Sequence, residues 1–178
     1  TCILFGDGAG AAVLGLADDE QQKAERGVLS VHLYADGTQA ESLSIPGGGS
    51  RYPTSAETLA AGQHFIHMAG KVIFTHAVRN LASACQAALK HQGLRPADID
   101  LVVAHQANLR IVEALAQRLD LPMDKFFINI SKYGNTSSAS VPIALDEAVR
   151  AGRVKPGDRL LFCALGAGLA WGSACLRW

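Results

Sequence analysis

Three short segments of the 178-residue chain carry side chains that could take part in catalysis, and each follows an apolar run. In the first segment, residues 104–108, a predicted strand delivers His105 to the start of the next predicted helix. A helix amino terminus carries roughly half a positive charge, which lowers the pKa of a nearby imidazole. A neutral ring donates one hydrogen bond without bringing a full charge. His105 is therefore a candidate catalytic donor, with a capping or core histidine as the alternative.

The second segment covers residues 133–138. Gly134 permits backbone conformations that other residues resist. Asn135 then offers a carboxamide just before a predicted helix whose cap we place at Ser137. Ordinary turn and cap chemistry explains the same residues, so a catalytic role for Asn135 and a purely structural one both stay open.

The third segment is the glycine pair around Ala167. Gly166 and Gly168 would let a substrate approach the backbone, whose N–H groups can hold an oxyanion. A tight hairpin needs the same glycines. The segment is not a phosphate-binding loop, because no Gly-Lys-Ser/Thr follows it.

Other candidate sites are weaker. His64 and His67 have helical spacing, but no matching carboxylate pattern accompanies them, so we predict surface histidines and no metal site. The glycine-rich residues 6–10 precede an apolar strand instead of a helix, which argues against dinucleotide binding. The chain has no CxxC spacing, which indicates reduced, buried cysteines. These cysteines are Cys2, Cys85, Cys163 and Cys175.

Hydrophobic periodicity predicts the elements that position these segments. We expect strands over residues 2–16 (interrupted by a glycine-rich turn), 28–34, 99–104, 126–130, 160–165 and 169–176. We expect helices over residues 63–91, 108–119 and 137–151, and a long irregular stretch over residues 36–62. From residue 99 the order is β-α-β-α-β-β, which predicts an α/β fold with a mixed sheet layered by helices.

Composition excludes several classes of protein. Acidic and basic residues balance at 16 each, whereas general nucleic-acid binders are strongly basic. No apolar run reaches the roughly 18 residues of a membrane span, and no signal peptide opens the chain. We expect a cytoplasmic protein that binds neither nucleic acid nor membrane. The chain opens at Thr1 inside an apolar run, so we also expect a fragment of a longer protein.

Taken together and in this order, the motifs resemble ketoacyl-acyl-carrier-protein synthase III. The resemblance rests on Phe5-Gly6-Asp7-Gly8-Ala9-Gly10, His105-Gln106-Ala107-Asn108, Gly134-Asn135-Thr136-Ser137, Leu145-Asp146-Glu147-Ala148 and the glycine hairpin ending in Trp171-Gly172-Ser173. It implies a thiolase-like fold of two pseudo-symmetric α/β halves. Residues 1–16 would be the last strand of the amino-terminal half, and residues 27–178 would be the carboxyl-terminal half.

The resemblance also implies roles for individual residues. The family joins a short acyl-CoA primer to malonyl-acyl carrier protein with decarboxylation, which initiates fatty acid synthesis. It uses a Cys, a His and an Asn, of which His105 and Asn135 match the last two. The Cys belongs to the other half, and Cys163 does not match it. Backbone N–H groups of residues 166–168 would hold an oxyanion.

Partners and alternatives follow from the same resemblance. Arg110 and Arg118 match positions that dock the acidic carrier protein, with a solvated helix face as the alternative. Lys71 occupies a position near the pantetheine arm in some members. Coenzyme A enters as a thioester substrate, and no cofactor is expected. We expect the missing amino-terminal half as a partner, and a homodimer. A quinolone- or polyketide-priming acyltransferase and a non-catalytic isolated half remain alternatives.

Overall fold

A four-stranded mixed sheet forms the centre of the structure, a computed structural model that describes residues 3–20 and 25–178. Its strands are β1 (Gly27–Ala35), β4 (Leu101–Ala104), β5 (Arg159–Gly166) and β6 (Ala170–Arg177), in the spatial order β1-β6-β5-β4. Strands β4 and β5 are parallel, and the other two pairs are antiparallel. Two short strands, β2 (Leu43–Ser44) and β3 (His67–Met68), pair separately. The predicted mixed sheet is confirmed.

The α-helices of the described chain are α1 (Ala56–Ala60), α2 (Gly70–His91), α3 (Leu109–Leu119), α4 (Ile130–Tyr133) and α5 (Ser140–Arg150). Short 3-10 helices cover Gly37–Ser42, Pro96–Asp98, Met123–Lys125 and Ser137–Ala139. Within the two described ranges, none of the helices combines the length and apolar character that crossing a bilayer requires.

The side chains of β4 alternate between two hydrophobic clusters, as the twofold period of a strand requires. Val102 packs on one face of the sheet with residues of α2 and α3, including Cys85 and Leu115. Leu101 and Val103 pack on the other face with residues of α5. All five of these side chains lie in buried clusters, so β4 is fixed from both sides. His105 follows directly from this rigid strand.

One face of the sheet is left uncovered by the described chain near β1 and β6. Val31 and Leu33 have relative exposures of 55% and 78%. They line, with Phe162 of β5, a shallow depression of about 750 Å³ that extends to Val141 of α5. Exposed apolar patches of this kind mark contact surfaces.

The predicted start of the long helix is wrong. Helix α2 begins at Gly70 instead of residue 63. Residues 61–65 form a turn through Gly62, whose φ is 66°. The next residues pair as β3 with β2. The helical period of apolar residues extends too far toward the amino terminus, because Phe65 and Met68 match that period by chance.

Two predicted strands are also wrong. In residues 3–16, only Phe5 makes a β-bridge, to Asn135, and the strand prediction for residue 2 lies outside the described residues. In residues 126–130, only Phe126 makes a bridge, to Val102, and α4 begins at Ile130. Both segments are apolar enough for a strand, but each finds a partner for one residue only. The assignment of residues 1–16 and 27–178 to two halves stays a prediction.

Candidate active site

A cavity of about 570 Å³ collects residues from all three predicted segments. His105, Asn135, Gly166 and Ala167 line it, whereas Gly168 does not. The three segments are far apart in sequence, and the order of the strands brings them together at the carboxyl ends of β4 and β5. Ligand sites in α/β sheets favour this edge.

The wall of the cavity is apolar and uncharged. None of the described residues that line it is Asp, Glu, Lys or Arg. The largest apolar contributors come from β2, β3, α2 and the amino-terminal segment, and they include Phe5, Leu43, Met68, Ile73 and Phe74. Electrostatic interactions are stronger in such surroundings than in water. A few hydrogen-bond donors at its base would therefore act on a ligand with little screening.

His105 is held on both its backbone and its ring. Its backbone N–H donates to the Cys163 carbonyl oxygen at 2.8 Å, which extends the β4–β5 pairing by one residue. Its ring Nδ1 lies 2.6 Å from Ser140 Oγ at the start of α5. Burial lowers the pKa of His105 from its ordinary value, and the Ser137 carbonyl opposes this shift. The predicted direction is confirmed, but burial is the main cause instead of the helix terminus.

Asn135 is fixed so that one end of its carboxamide stays unused. Its backbone N–H donates to Leu4 O at 3.2 Å, and its carbonyl accepts from Gly6 N at 2.9 Å. Its side-chain Oδ1 accepts the Ser137 N–H at 2.9 Å. The prediction that Ser137 caps the following helix is wrong, because the N-cap position of α5 is Ala139 and no side chain caps this helix. Within the described chain Nδ2 of Asn135 has no acceptor, so this N–H group is available to a ligand.

Two glycines make this conformation possible. Gly134 has φ 70° and ψ −158°, a region that is essentially restricted to glycine. Gly6 lies so close to the neighbouring chain that a Cβ would be 2.0 Å from Tyr133 O. The first glycine turns the chain into Asn135, and the second lets residues 4–6 pair with it.

Gln106 ties the His105 loop to the segment that leads to Asn135. This side chain is only 1% exposed, and both ends of its amide bind the same stretch of backbone. Its Nε2 donates to Phe127 O at 2.7 Å, and its Oε1 accepts from Asn129 N at 2.9 Å. Sequence patterns gave no indication of this role, because the partners are more than 20 positions away.

Glu147 of α5 anchors the same segment from outside. Its carboxylate accepts hydrogen bonds from Asn129 Nδ2 at 2.9 Å and Tyr133 OH at 2.5 Å, and it forms an ion pair with Lys132. These donors, Lys132 foremost, lower the pKa of Glu147 to about 2. The carboxylate therefore clamps α4, the helix that directly precedes Gly134 and Asn135.

The described cysteines are unsuited to nucleophilic attack. Cys85, Cys163 and Cys175 are all buried. The hydrogen bond with Cys163, together with burial, raises the pKa of Cys85. Burial raises the pKa of Cys175. Thiols attack as thiolates, which buried apolar sites disfavour. Cys2 lies outside the described residues.

The remaining sequence candidates lie outside the cavity. Within the described ranges, no group of three or more His, Cys, Asp or Glu side chains is arranged to hold a metal ion. His67 lies in the exposed strand β3. Arg110 and Arg118 are exposed on α3, and Lys71 is exposed in the first turn of α2. Ala167 presents a backbone N–H that no described atom accepts.

Comparison with known proteins identifies the family. The family described as 3-oxoacyl-[acyl-carrier-protein (ACP)] synthase III C terminal matches residues 89–178. The chain therefore belongs to this family. A β-ketoacyl-[acyl-carrier-protein] synthase III from Roseiflexus sp. (strain RS-1) is 50% identical over 178 residues, which are 100% of this chain and 53% of that protein. The chain thus spans about half the length of the curated relatives it matches.

Solved structures of similar proteins support the same family and fold. β-Ketoacyl-[acyl carrier protein] synthase III from Thermus thermophilus is 44% identical with a TM-score of 0.77, over 86% of this chain and 46% of that one. The priming β-ketosynthase from the R1128 polyketide biosynthetic pathway is 36% identical with a TM-score of 0.76, over 85% and 45%. The predicted family and the thiolase-like α/β fold are confirmed.

Proposed function

We propose that this chain is the carboxyl-terminal part of a condensing enzyme. The enzyme would join a short acyl-CoA primer to malonyl-acyl carrier protein with decarboxylation, which initiates fatty acid synthesis. One observation carries the proposal: His105 and Asn135 line the same cavity, whose described wall has no charged side chain. Family membership supports it.

The proposed chemistry needs two uncharged donors. A cysteine thiolate takes the acyl group from the primer and releases coenzyme A as the thiol. The malonyl thioester then loses carbon dioxide, and negative charge develops on its thioester oxygen. N–H groups of His105 and Asn135 would stabilise this enolate, each by about 3–4 kcal/mol in a dry site. A cationic side chain would also bind the departing carboxylate, so a cavity without one suits decarboxylation.

The enolate carbon then attacks the acyl-cysteine carbonyl. The new carbon–carbon bond forms, an oxyanion develops, and its collapse expels the cysteine thiolate. A role for the Ala167 N–H in holding that oxyanion is supported by two facts: Ala167 lines the cavity, and no described atom accepts its N–H. We propose that the attacking cysteine lies in an amino-terminal half that precedes these residues, since the described cysteines are buried.

The test is a pair of half-reactions in the full-length protein. Labelled acetyl-CoA should acylate one cysteine outside residues 1–178, located by peptide mass spectrometry, and malonyl-acyl carrier protein should then yield carbon dioxide and a 3-ketoacyl product. Acylation of Cys85, Cys163 or Cys175 would refute the assignment. An intact mass equal to the 178-residue chain, with no turnover, would favour a non-catalytic module.

The structural likeness to a priming ketosynthase of a polyketide pathway keeps a second function open. Such an enzyme would share the same donors and differ in its primer. Comparing turnover with acetyl-CoA against longer and branched acyl-CoA primers distinguishes the two. Preference for acetyl-CoA supports fatty acid initiation, and preference for a longer primer supports the second function.

We also propose that the carrier protein docks on α3 through Arg110 and Arg118, whose side chains are exposed near the start and at the end of this helix, which follows the cavity residue Asn108. An exposed ion pair contributes up to about 1 kcal/mol, or about fivefold in affinity. Arg118→Glu should raise the KM for malonyl-acyl carrier protein about fivefold and leave turnover of malonyl-CoA unchanged. Lys90→Glu, at the exposed end of α2, is the matched control. Equal effects of both variants would contradict the docking site.

We also propose that the full-length protein is cytoplasmic and forms a homodimer. The uncovered apolar face formed by Val31 and Leu33 supports contact with further polypeptide. Light scattering of the full-length protein checks the dimer, and a monomeric mass at micromolar concentration would contradict it.

A further inference from the structure

The Ser140 hydroxyl makes a contact with the candidate catalytic ring that the proposed chemistry does not yet use. Ser140 is the first residue of α5 and is only 3% exposed. Its Oγ lies 2.6 Å from His105 Nδ1. The same Oγ accepts the Gln106 backbone N–H at 3.3 Å. One buried hydroxyl thus contacts both the ring and the loop that carries it.

Hydrogen-bond accounting favours donation from the Ser140 hydroxyl to the ring. A serine hydroxyl has one hydrogen to donate and two lone pairs that accept. One lone pair of Ser140 Oγ is used by Gln106 N–H. Buried hydroxyl hydrogens need an acceptor. His105 Nδ1, at 2.6 Å, can accept this hydrogen when the nitrogen is unprotonated.

A neutral imidazole that accepts at one nitrogen carries its proton on the other. We propose that Ser140 is a positioning residue that holds His105 in the tautomer protonated at Nε2. The nitrogen that is not bound to α5 then presents an N–H to the cavity that His105 lines. The catalytic consequence of this assignment rests on the proposed function, whereas the tautomer itself does not.

The decisive measurement is the protonation pattern of the ring in the full-length protein. Long-range proton–nitrogen spectra of protein labelled with ¹⁵N-histidine distinguish the two neutral tautomers, and signals lost in His105→Gln assign the residue. The unmodified protein should show a bare Nδ1 and a protonated Nε2. Ser140→Ala should show a mixture of tautomers, and Ser140→Thr, which keeps the hydroxyl, should restore the single form. Ser131→Ala, an exposed serine of α4, should change nothing.

Two results would overturn the assignment: a proton on Nδ1 in the unmodified protein, or an unchanged single tautomer in folded Ser140→Ala. If Ser140→Ala fails to fold, the assignment is still tested by two spectra. These are the spectrum of the unmodified protein and that of Ser140→Cys, which replaces the hydroxyl by a weaker donor. Ser140→Cys should show a mixture in which the tautomer protonated at Nε2 still predominates.

Kinetics separate this inference from the proposed function. Removing an outer hydrogen bond that orients a metal-bound histidine costs about 10- to 100-fold. Ser140→Ala should lower the kcat of malonyl decarboxylation by a similar factor, with KM and cysteine acylation little changed. Unchanged decarboxylation alongside a mixed tautomer would refute the catalytic consequence. If the unmodified protein decarboxylates no malonyl thioester, the proposed function fails while the spectra still test Ser140.

Discussion

Asn135→Asp is the substitution that isolates the proposed donor with the least structural change. The two side chains have the same shape, and an aspartate keeps an oxygen to accept the Ser137 N–H at 2.9 Å. The backbone bonds of Asn135 to Leu4 and Gly6 do not involve the side chain. What the variant loses is the Nδ2–H group, which has no described acceptor. In its place an oxygen faces the cavity.

The expected loss follows from the surroundings of the side chain. Asn135 is 6% exposed, and the described cavity wall carries no charge to compensate a new carboxylate. Removing one donor from such a site costs about 10²- to 10³-fold in rate. Repulsion between the carboxylate and the enolate adds to this loss, so about 10²-fold is the minimum. Acylation of the cysteine should change by less than about threefold, since its oxyanion is assigned to other donors.

The assay measures both half-reactions at pH 8, well above the ordinary aspartate pKa of about 3.9, because burial raises the pKa of a carboxyl group at this position. Carbon dioxide release from malonyl-acyl carrier protein reports decarboxylation, and label transfer from acetyl-CoA reports acylation. Gln86→Glu makes the same amide-to-carboxylate change on the exposed surface of α2 and should affect neither. Equal losses in both half-reactions, or decarboxylation within threefold of the unmodified protein, would refute the assignment of Asn135.

The other predictions concern stability and are checked by urea or thermal unfolding of the full-length protein. Gly134→Ala should cost about 1–3 kcal/mol because of its backbone conformation, whereas Gly37→Ala, with open space around it, should cost much less. Glu147→Gln should cost about 1–2 kcal/mol at pH 7. The pKa of Glu147 is lowered from 4.5 to about 2, chiefly by Lys132, so this contribution is complete above pH 4.5 and lost as the pH falls through about 2. A difference that persists unchanged below pH 2 would contradict that origin. Leu115→Ala, at a fully buried position, should cost about 2–5 kcal/mol, and a loss below 1 kcal/mol would contradict its place in the core.

Elements with strong local signals were predictable from the sequence. Helix α3 begins after Asn108, whose side chain caps it, and ends at Leu119, as its apolar spacing and Asp120 indicate. The hairpin of β5 and β6 follows from its glycines. In each case neighbouring residues supply the determining contacts.

The features that were not predicted correctly depend on partners that are distant in the sequence. The apolar residues around Phe5 have the composition of a strand, but only one bridge forms, to Asn135. Gln106 resembles an ordinary polar residue after a strand until Phe127 and Asn129 are brought to it. Periodicity reports which side of an element is apolar and carries no information about which distant backbone a polar side chain will bind.

The bonds between residues 4–6 and Asn135 also bear on when the site can form during synthesis. The two segments are separated by roughly 130 positions in the sequence, and ribosomes add about 5–20 residues per second. The earlier segment therefore waits on the order of ten seconds before Asn135 emerges, with Phe5 unpaired throughout. A chain released before α5 is made would contain His105 and lack the Ser140 and Glu147 contacts. The donor pair can therefore form only after residue 135 has been synthesised, and its contact with Ser140 only after α5 has been made.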